Sequence, residues 1–157
     1  MHCNYNSNYK YNQNSEIMRE IRYRGIGIAE RKWVFGSLWF DTRDGVTLIW
    51  SEELKYWVRV DPATVGQYTG LKDEHGKEIY EGDVIRSPLS EDKTRPHRIF
   101  YHTGNAAFMR ALIDRKELCY LRLDQDWIYK FGKEVIGNIH DNPELIEKQT
   151  AERHKTN

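Results

Sequence analysis

The sequence predicts a mainly β chain built as two successive small β units, and three observations carry that expectation. Aromatic residues make up 13% of the 157 residues, with ten Tyr and five Trp, and rings of this kind suit pleated, half-buried surfaces. Short alternating or β-branched runs recur between Gly, Asp and Pro turn signals, a spacing that favours a small barrel over a βαβ fold. The stretch from Gln67 to Ile85 reads as strand, tight turn, strand, second turn, strand, and the rest of the chain is arranged on either side of it.

Composition bounds the alternatives. The length suits one domain or two small, closely packed ones, and 39% apolar content is ordinary. Lys+Arg and Asp+Glu both number 24, so the net charge is zero. That balance argues against a polybasic nucleic-acid binder, whose affinity comes from neutralising phosphates, but leaves room for a local basic face. Cys3 and Cys119 fall short of a disulfide framework or a zinc set. No apolar run approaches the roughly 18 residues of a membrane span, and the N-terminus lacks the apolar core of a signal peptide. The expectation is a cytoplasmic protein with no membrane partner, no cofactor and no metal.

The elements follow in order. Residues 1–17 are rich in Asn and Tyr, too polar to order themselves against a core, and are expected to form a disordered extension. Residues 18–67 read as an N-terminal β-subdomain. Ile21 and Tyr23 alternate with Arg22 and Arg24, predicting a strand with the arginines on its solvent face. Gly25-Ile26-Gly27 lacks the third glycine and the helix of a dinucleotide site and reads as a bend. Lys32 to Phe40 is a strand bent at Gly36; Asp41 to Gly45 turns into Val46–Trp50, and Tyr56–Val60 follows, closed by Asp61-Pro62.

Residues 68–140 read as the barrel-like unit. Asp73 to Gly76 is a turn in which Asp bonds its own backbone two residues on and Gly supplies a positive φ. Glu81-Gly82-Asp83 is the second turn, leading into Val84–Arg86. Pro88 to Pro96 is a charged loop. His97–Thr103 pairs through Gly104-Asn105 with Ala106–Ile113, Leu118–Leu123 returns, and Val135–Ile139 closes the set. In residues 141–157, Asn142-Pro143-Glu144 signals the start of a short C-terminal helix.

Thr69-Gly70-Leu71-Lys72-Asp73, followed by Gly76-Lys77-Glu78-Ile79-Tyr80-Glu81-Gly82-Asp83-Val84, closely resembles the hallmark of the YopX-like family of phage and prophage proteins. Met18 to Arg24 resembles the family's usual start, and Glu134 to Leu145 its usual end. The resemblance implies an all-β protein whose C-terminal part is an SH3-like barrel, encoded by phage or integrated phage DNA and acting in the bacterial host cell. It implies no catalytic mechanism.

Each chemically suggestive residue is weighed against a plain packing role. Glu81 and Asp83 are two carboxylates two apart, as acid–base pairs require, but the Gly between them marks a turn whose carboxylates bond backbone amides. The motif residues Thr69, Gly70, Leu71, Asp73, Gly76, Ile79, Tyr80, Glu81, Gly82 and Asp83 are therefore expected to be structural. His97 and His102, five apart, fall on opposite faces of a strand, whereas metal ligands should share one, so they read as surface or satisfied histidines rather than ligands. Cys119 among Leu118, Tyr120 and Leu121 reads as strand packing rather than a nucleophile. Arg86, Lys93, Arg95, Arg98 and Arg110, interleaved with Phe100, Tyr101 and Phe108, outnumber Glu91 and Asp92, the mixture with which small barrels bind single strands. Arg95 and Arg98 are the candidate nucleic-acid face. Trp33, Trp39, Trp50 and Trp57 exceed what a subdomain of this size needs for its own core, and Trp33 and Trp39 are the candidate interaction surface. The leading expectation is a binding module that meets a protein partner or a second copy of itself; nucleic-acid binding comes second and an enzyme third.

Overall fold

The computed structural model describes residues 19–87, 96–113 and 120–146. The expected N-terminal extension, Cys119, Arg95 and the chain after residue 146 lie outside them. The described chain is mainly β, in two sheets. Strands β1 (Tyr23–Ile26), β2 (Trp33–Asp41), β3 (Val46–Ser51), β4 (Tyr56–Arg59), β5 (Gly66–Lys72) and β6 (Glu78–Tyr80) form a six-stranded sheet in the order β4-β3-β2-β1-β5-β6. Strands β7 (Asp83–Arg86), β8 (His97–His102), β9 (Ala107–Leu112), β10 (Tyr120–Arg122) and β11 (Glu134–Asn138) form a second sheet, ordered β10-β9-β8-β7-β11. Every named strand pair is antiparallel. The edge strands β10 and β11 of the second sheet are not paired with each other, so the described strands draw an open sheet.

The first sheet curls. Ile28 N–H donates to the Arg59 carbonyl at 3.0 Å and Asp61 N–H to that of Ile26 at 2.9 Å, and Gly27 bridges Val60, which returns the end of β1 to the end of β4. Val34, Ile49 and Val60 fill the curl, with Tyr23, Leu38, Val58 and Val65 around them. The tryptophans lie elsewhere. Trp50 pairs with Trp57 and Leu48 with Trp39, placing all three indoles on the face opposite Ile49. Gly36 has φ +151° and an added Cβ would stand 1.8 Å from the Trp50 carbonyl oxygen, so the bend in β2 demands glycine.

The second core is Ile79, Ile85, Ile99, Leu123 and Ile128, with Leu71, Phe108, Trp127 and Val135 against it. Ile79 and Leu71 come from β5 and β6, which hydrogen-bond into the first sheet. The β5–β6 hairpin therefore belongs to one sheet by its backbone and to the other core by its side chains, and β5 runs through the boundary expected at residue 68. Helix α1 (Gln125–Lys130) supplies Ile128; Asp124 caps it, its side chain accepting from Trp127 N–H. After β11, residues 144–146 are helical, where Ile146 N–H donates to the Pro143 carbonyl at 3.0 Å.

One correction concerns β1. Arg24 is buried and Ile21 exposed, the reverse of the sides expected from alternation. Arg24 has a buried partner nearly sixty residues on, which outweighs the hydrophobic period.

Candidate functional site

Arg24 is held on β1 opposite Phe35 of β2 and Gly66 of β5, so its side chain enters the junction between the sheets. There the guanidinium lies between two rings, 4.6 Å from the Trp33 centroid and 4.9 Å from that of Tyr80. Its Nη2 donates to Asp83 Oδ1 at 2.6 Å and to the Glu81 carbonyl at 3.1 Å. Asp83, 1% exposed, accepts the Tyr80 N–H on Oδ2 at 2.8 Å. Burial raises the Asp83 carboxyl above its ordinary range, and the charge of Arg24 works against that rise.

Tyr80 extends the network. Its ring meets Tyr68 at 5.4 Å and Phe35 at 5.7 Å, and its hydroxyl donates to Glu78 Oε2 at 2.9 Å. Burial first, then Glu78, holds that hydroxyl far above the usual phenol range. Arg22 pairs with Glu78. On the other flank, Trp33 Nε1–H donates to Asp141 Oδ2 at 2.7 Å, an oxygen that also accepts from Asn138 Nδ2 at 2.7 Å. His140 lies 6.1 Å from the Trp33 ring and is held below its ordinary pKa by burial and then by Arg24.

The turn residues have backbone duties. Asp73 Oδ1 accepts from His75 N–H at 2.9 Å and Lys77 N–H at 2.8 Å, while Oδ2 accepts from Val135 N–H at 3.1 Å. Thr69 Oγ1–H donates to the Ile79 carbonyl at 2.8 Å. Gly70, Gly76 and Gly82 all have positive φ. Glu81 accepts Gln67 N–H of β5 on one oxygen at 2.9 Å and Tyr101 N–H at 3.1 Å on the other. Gly82 donates its N–H to the Ile99 carbonyl and accepts from Ile139 N–H, each at 2.9 Å. The motif thus laces β5, β8 and the end of β11 together. Asp73, Glu81 and Asp83 accept from backbone amides, Asp83 also from Arg24, and Glu78 from the Tyr80 hydroxyl.

The other sequence-chosen residues are scattered. Trp33 sits within this junction, so of the two interaction candidates only Trp39 stands free of it. Trp39 (45% exposed) lies 6.5 Å from Trp57 (46% exposed), and Trp57 lies 5.6 Å from Trp50. Trp57 also lines a cavity of about 610 Å³ with Ile28, Val34, Phe35, Leu54 and Tyr56, a feature that needs strand pairing to be seen. Arg98 is half-buried on β8. His97 packs on Trp127 at 5.2 Å and His102 on Tyr120 at 5.0 Å, on opposite faces of β8. Glu74, His75 and Glu134 cluster within 4.8 Å at the β5–β6 turn, the one set of metal-type donors among the described residues; His75 Nε2 lies 3.5 Å from Glu74 and 3.7 Å from Glu134.

Two antiparallel sheets cross-linked by a buried ionic and aromatic junction define a mainly β protein. By sequence, the chain belongs to the YopX family: the family model described as "YopX protein" matches residues 4–147. The match begins ahead of Met18 and takes in most of the polar N-terminal stretch. A crystal structure of protein EF1440 from Enterococcus faecalis is similar, with a TM-score of 0.54 and 26% identity, covering 81% of this chain and 98% of that one. No curated protein matches the chain. Among the described residues no helix is long and apolar enough to cross a membrane.

Proposed function

We propose that the chain is a phage- or prophage-encoded accessory protein of the bacterial cytoplasm that works as a protein-binding module, self-association first, and not as an enzyme. The phage setting and the reading of the second unit as an SH3-like barrel rest on the family resemblance. The observation that supports binding is the face of β2–β4 opposite Ile49, where Trp39 and Trp57 are both more than 40% exposed, and Trp57 joins this Trp cluster to the 610 Å³ cavity, which Phe35, Leu54 and Tyr56 also line. Rings of this size dominate interface energetics, and so many close together on a monomer mark a covered surface. The occupied carboxylates of Glu81 and Asp83 argue against hydrolytic chemistry at the motif.

The test is light scattering on size-exclusion fractions across a concentration series. The reading expects a dimer or higher species that Trp39→Ser with Trp57→Ser converts to monomer while the urea midpoint is kept. Trp33→Ala, which strips the junction, should instead unfold the chain. A wild-type monomer at all concentrations refutes self-association.

A further inference from the structure

We infer that the face of the second sheet that carries Phe100 and Tyr120, both half-buried, is a stacking platform for single-stranded nucleic acid. Strand register places Arg98, Ala111 and Tyr120 side by side across β8, β9 and β10, and Phe100, Met109 and Arg122 in the adjacent row. Directly paired residues share a face, so two arginines and two rings stand over a floor of Ala111 and Met109, and His102, opposite Ala107, extends the face. The rings touch: Phe100 and His102 each lie 5.0 Å from Tyr120, and Arg98 lies 5.4 Å over Phe100.

Along the described strands β8–β10 the charge has one sign. Residues 97–112 and 120–122 contain Arg98, Arg110 and Arg122 and no carboxylate. Arg110 turns to the other face, 3.6 Å over Trp127, leaving Arg98 and Arg122 to flank the rings. Glu81, the acid beside Arg98 and Phe100, is committed to the amides of Gln67 and Tyr101, and Glu134 stands opposite Arg86 on β11. A ligand that complements this face offers flat π surfaces and negative charge together. Unpaired nucleobases on a phosphodiester chain do so, whereas a duplex hides its bases. Zero net charge on the whole chain keeps the attraction local, so binding is weak and readily screened.

The experiment is fluorescence anisotropy of a labelled oligo(dT) of about ten nucleotides, titrated with the full chain between about 50 and 300 mM KCl. Saturable binding is expected, with log K falling against log salt at a slope of about −1.4 for two phosphate contacts. Arg98→Gln with Arg122→Gln should flatten the slope. Tyr120→Leu should weaken binding about 5- to 150-fold at unchanged slope, the loss of one stacked base. Arg59→Gln, on the first sheet, should change neither. If Tyr120→Leu fails to fold, Tyr120→Phe, which keeps the ring and should bind as wild type, and the exposed Arg122→Gln carry the test. Absent binding at the lowest salt, a duplex bound as tightly as the single strand, or an Arg59→Gln effect equal to that of the platform arginines overturns the inference.

Discussion

Replacing Arg24 with Met probes the junction directly. Met keeps the apolar stem against Trp33 and Tyr80 and removes the charge, leaving Asp83, 1% exposed, with the Tyr80 N–H as its remaining bond. Removing one partner of a buried ion pair costs about 3–5 kcal/mol. Protonation sets a ceiling, because a carboxyl with an unfolded pKa of about 3.9 can be neutralised at pH 7 for about 4 kcal/mol. The expected loss at pH 7 is therefore about 3–4 kcal/mol, a large part of the roughly 5–15 kcal/mol that holds a domain together. The pH dependence has a definite sign. Burial already raises the Asp83 carboxyl in the wild type, and losing Arg24 raises it further. The folded variant then binds more protons than its unfolded chain, so its stability falls as pH rises above about 4. The deficit relative to wild type should shrink as pH falls from 7 to 5, by at most about 1.4 kcal/mol for each pH unit. Urea unfolding followed by Trp fluorescence at pH 5, 6 and 7, read as midpoints at constant m, measures this. Adding Asp83→Asn, which retains an acceptor for Tyr80 N–H, should recover much of the loss and abolish the slope. A loss at pH 7 below about 1 kcal/mol, or one that grows on acidification, refutes the account of the pair.

Two further outcomes follow from the same geometry. In Gly66→Ala the new Cβ would lie 2.6 Å from the Glu81 carbonyl oxygen, so thermal unfolding should show a loss of about 2 kcal/mol or more; Gly45→Ala, strained at φ +64° but with nothing within 4 Å, should lose only about 1 kcal/mol. His140, held neutral by burial and Arg24, has a folded pKa below its unfolded value of about 6.5, so its contribution is present above that pH and lost as pH falls through it; His140→Gln should reduce the drop in urea midpoint between pH 7.5 and 5.5, and an unchanged drop would assign it to other groups.

Local chemistry was legible in the sequence, and long-range partnership was not. Asp73 to Gly76 could be read because an Asx-type turn and a positive-φ Gly are decided within four residues, and His75 N–H does bond Asp73 Oδ1. The alternating runs around Trp39, Leu48 and Ile99 fixed strands to within a residue or two for the same reason. Arg24 could not be read, since alternation places it in solvent and only Asp83, across the sheet junction, makes its burial tolerable. Helix α1 left short-range signals, an Asp124 cap and Gly132 at φ +50°. Six residues are too few to show a helical period, and the stretch between Leu123 and Val135 stayed unassigned. The Trp39–Trp57 contact and the Phe100–Tyr120 contact depend on strand register, which turn residues alone do not specify across three strands.

The division of labour between hairpin and faces bears on where activity resides. Thr69, Asp73, Glu81 and Asp83 each hold backbone on a neighbouring element, and Glu81 bonds both β5 and β8. A side chain that holds two strands in place cannot also move to meet a substrate without releasing them. Substitution of these residues should therefore act through stability before anything else. The two proposed binding surfaces are the β2–β4 face with Trp39 and Trp57 and the β8–β10 face with Phe100 and Tyr120. They belong to different sheets, so a double Trp variant and a double Arg variant can each silence one face with the other intact. Loss of oligomer without loss of oligonucleotide binding, and the reverse, would establish two independent surfaces on one rigid frame; joint loss from either variant would mean that the frame itself had been disturbed.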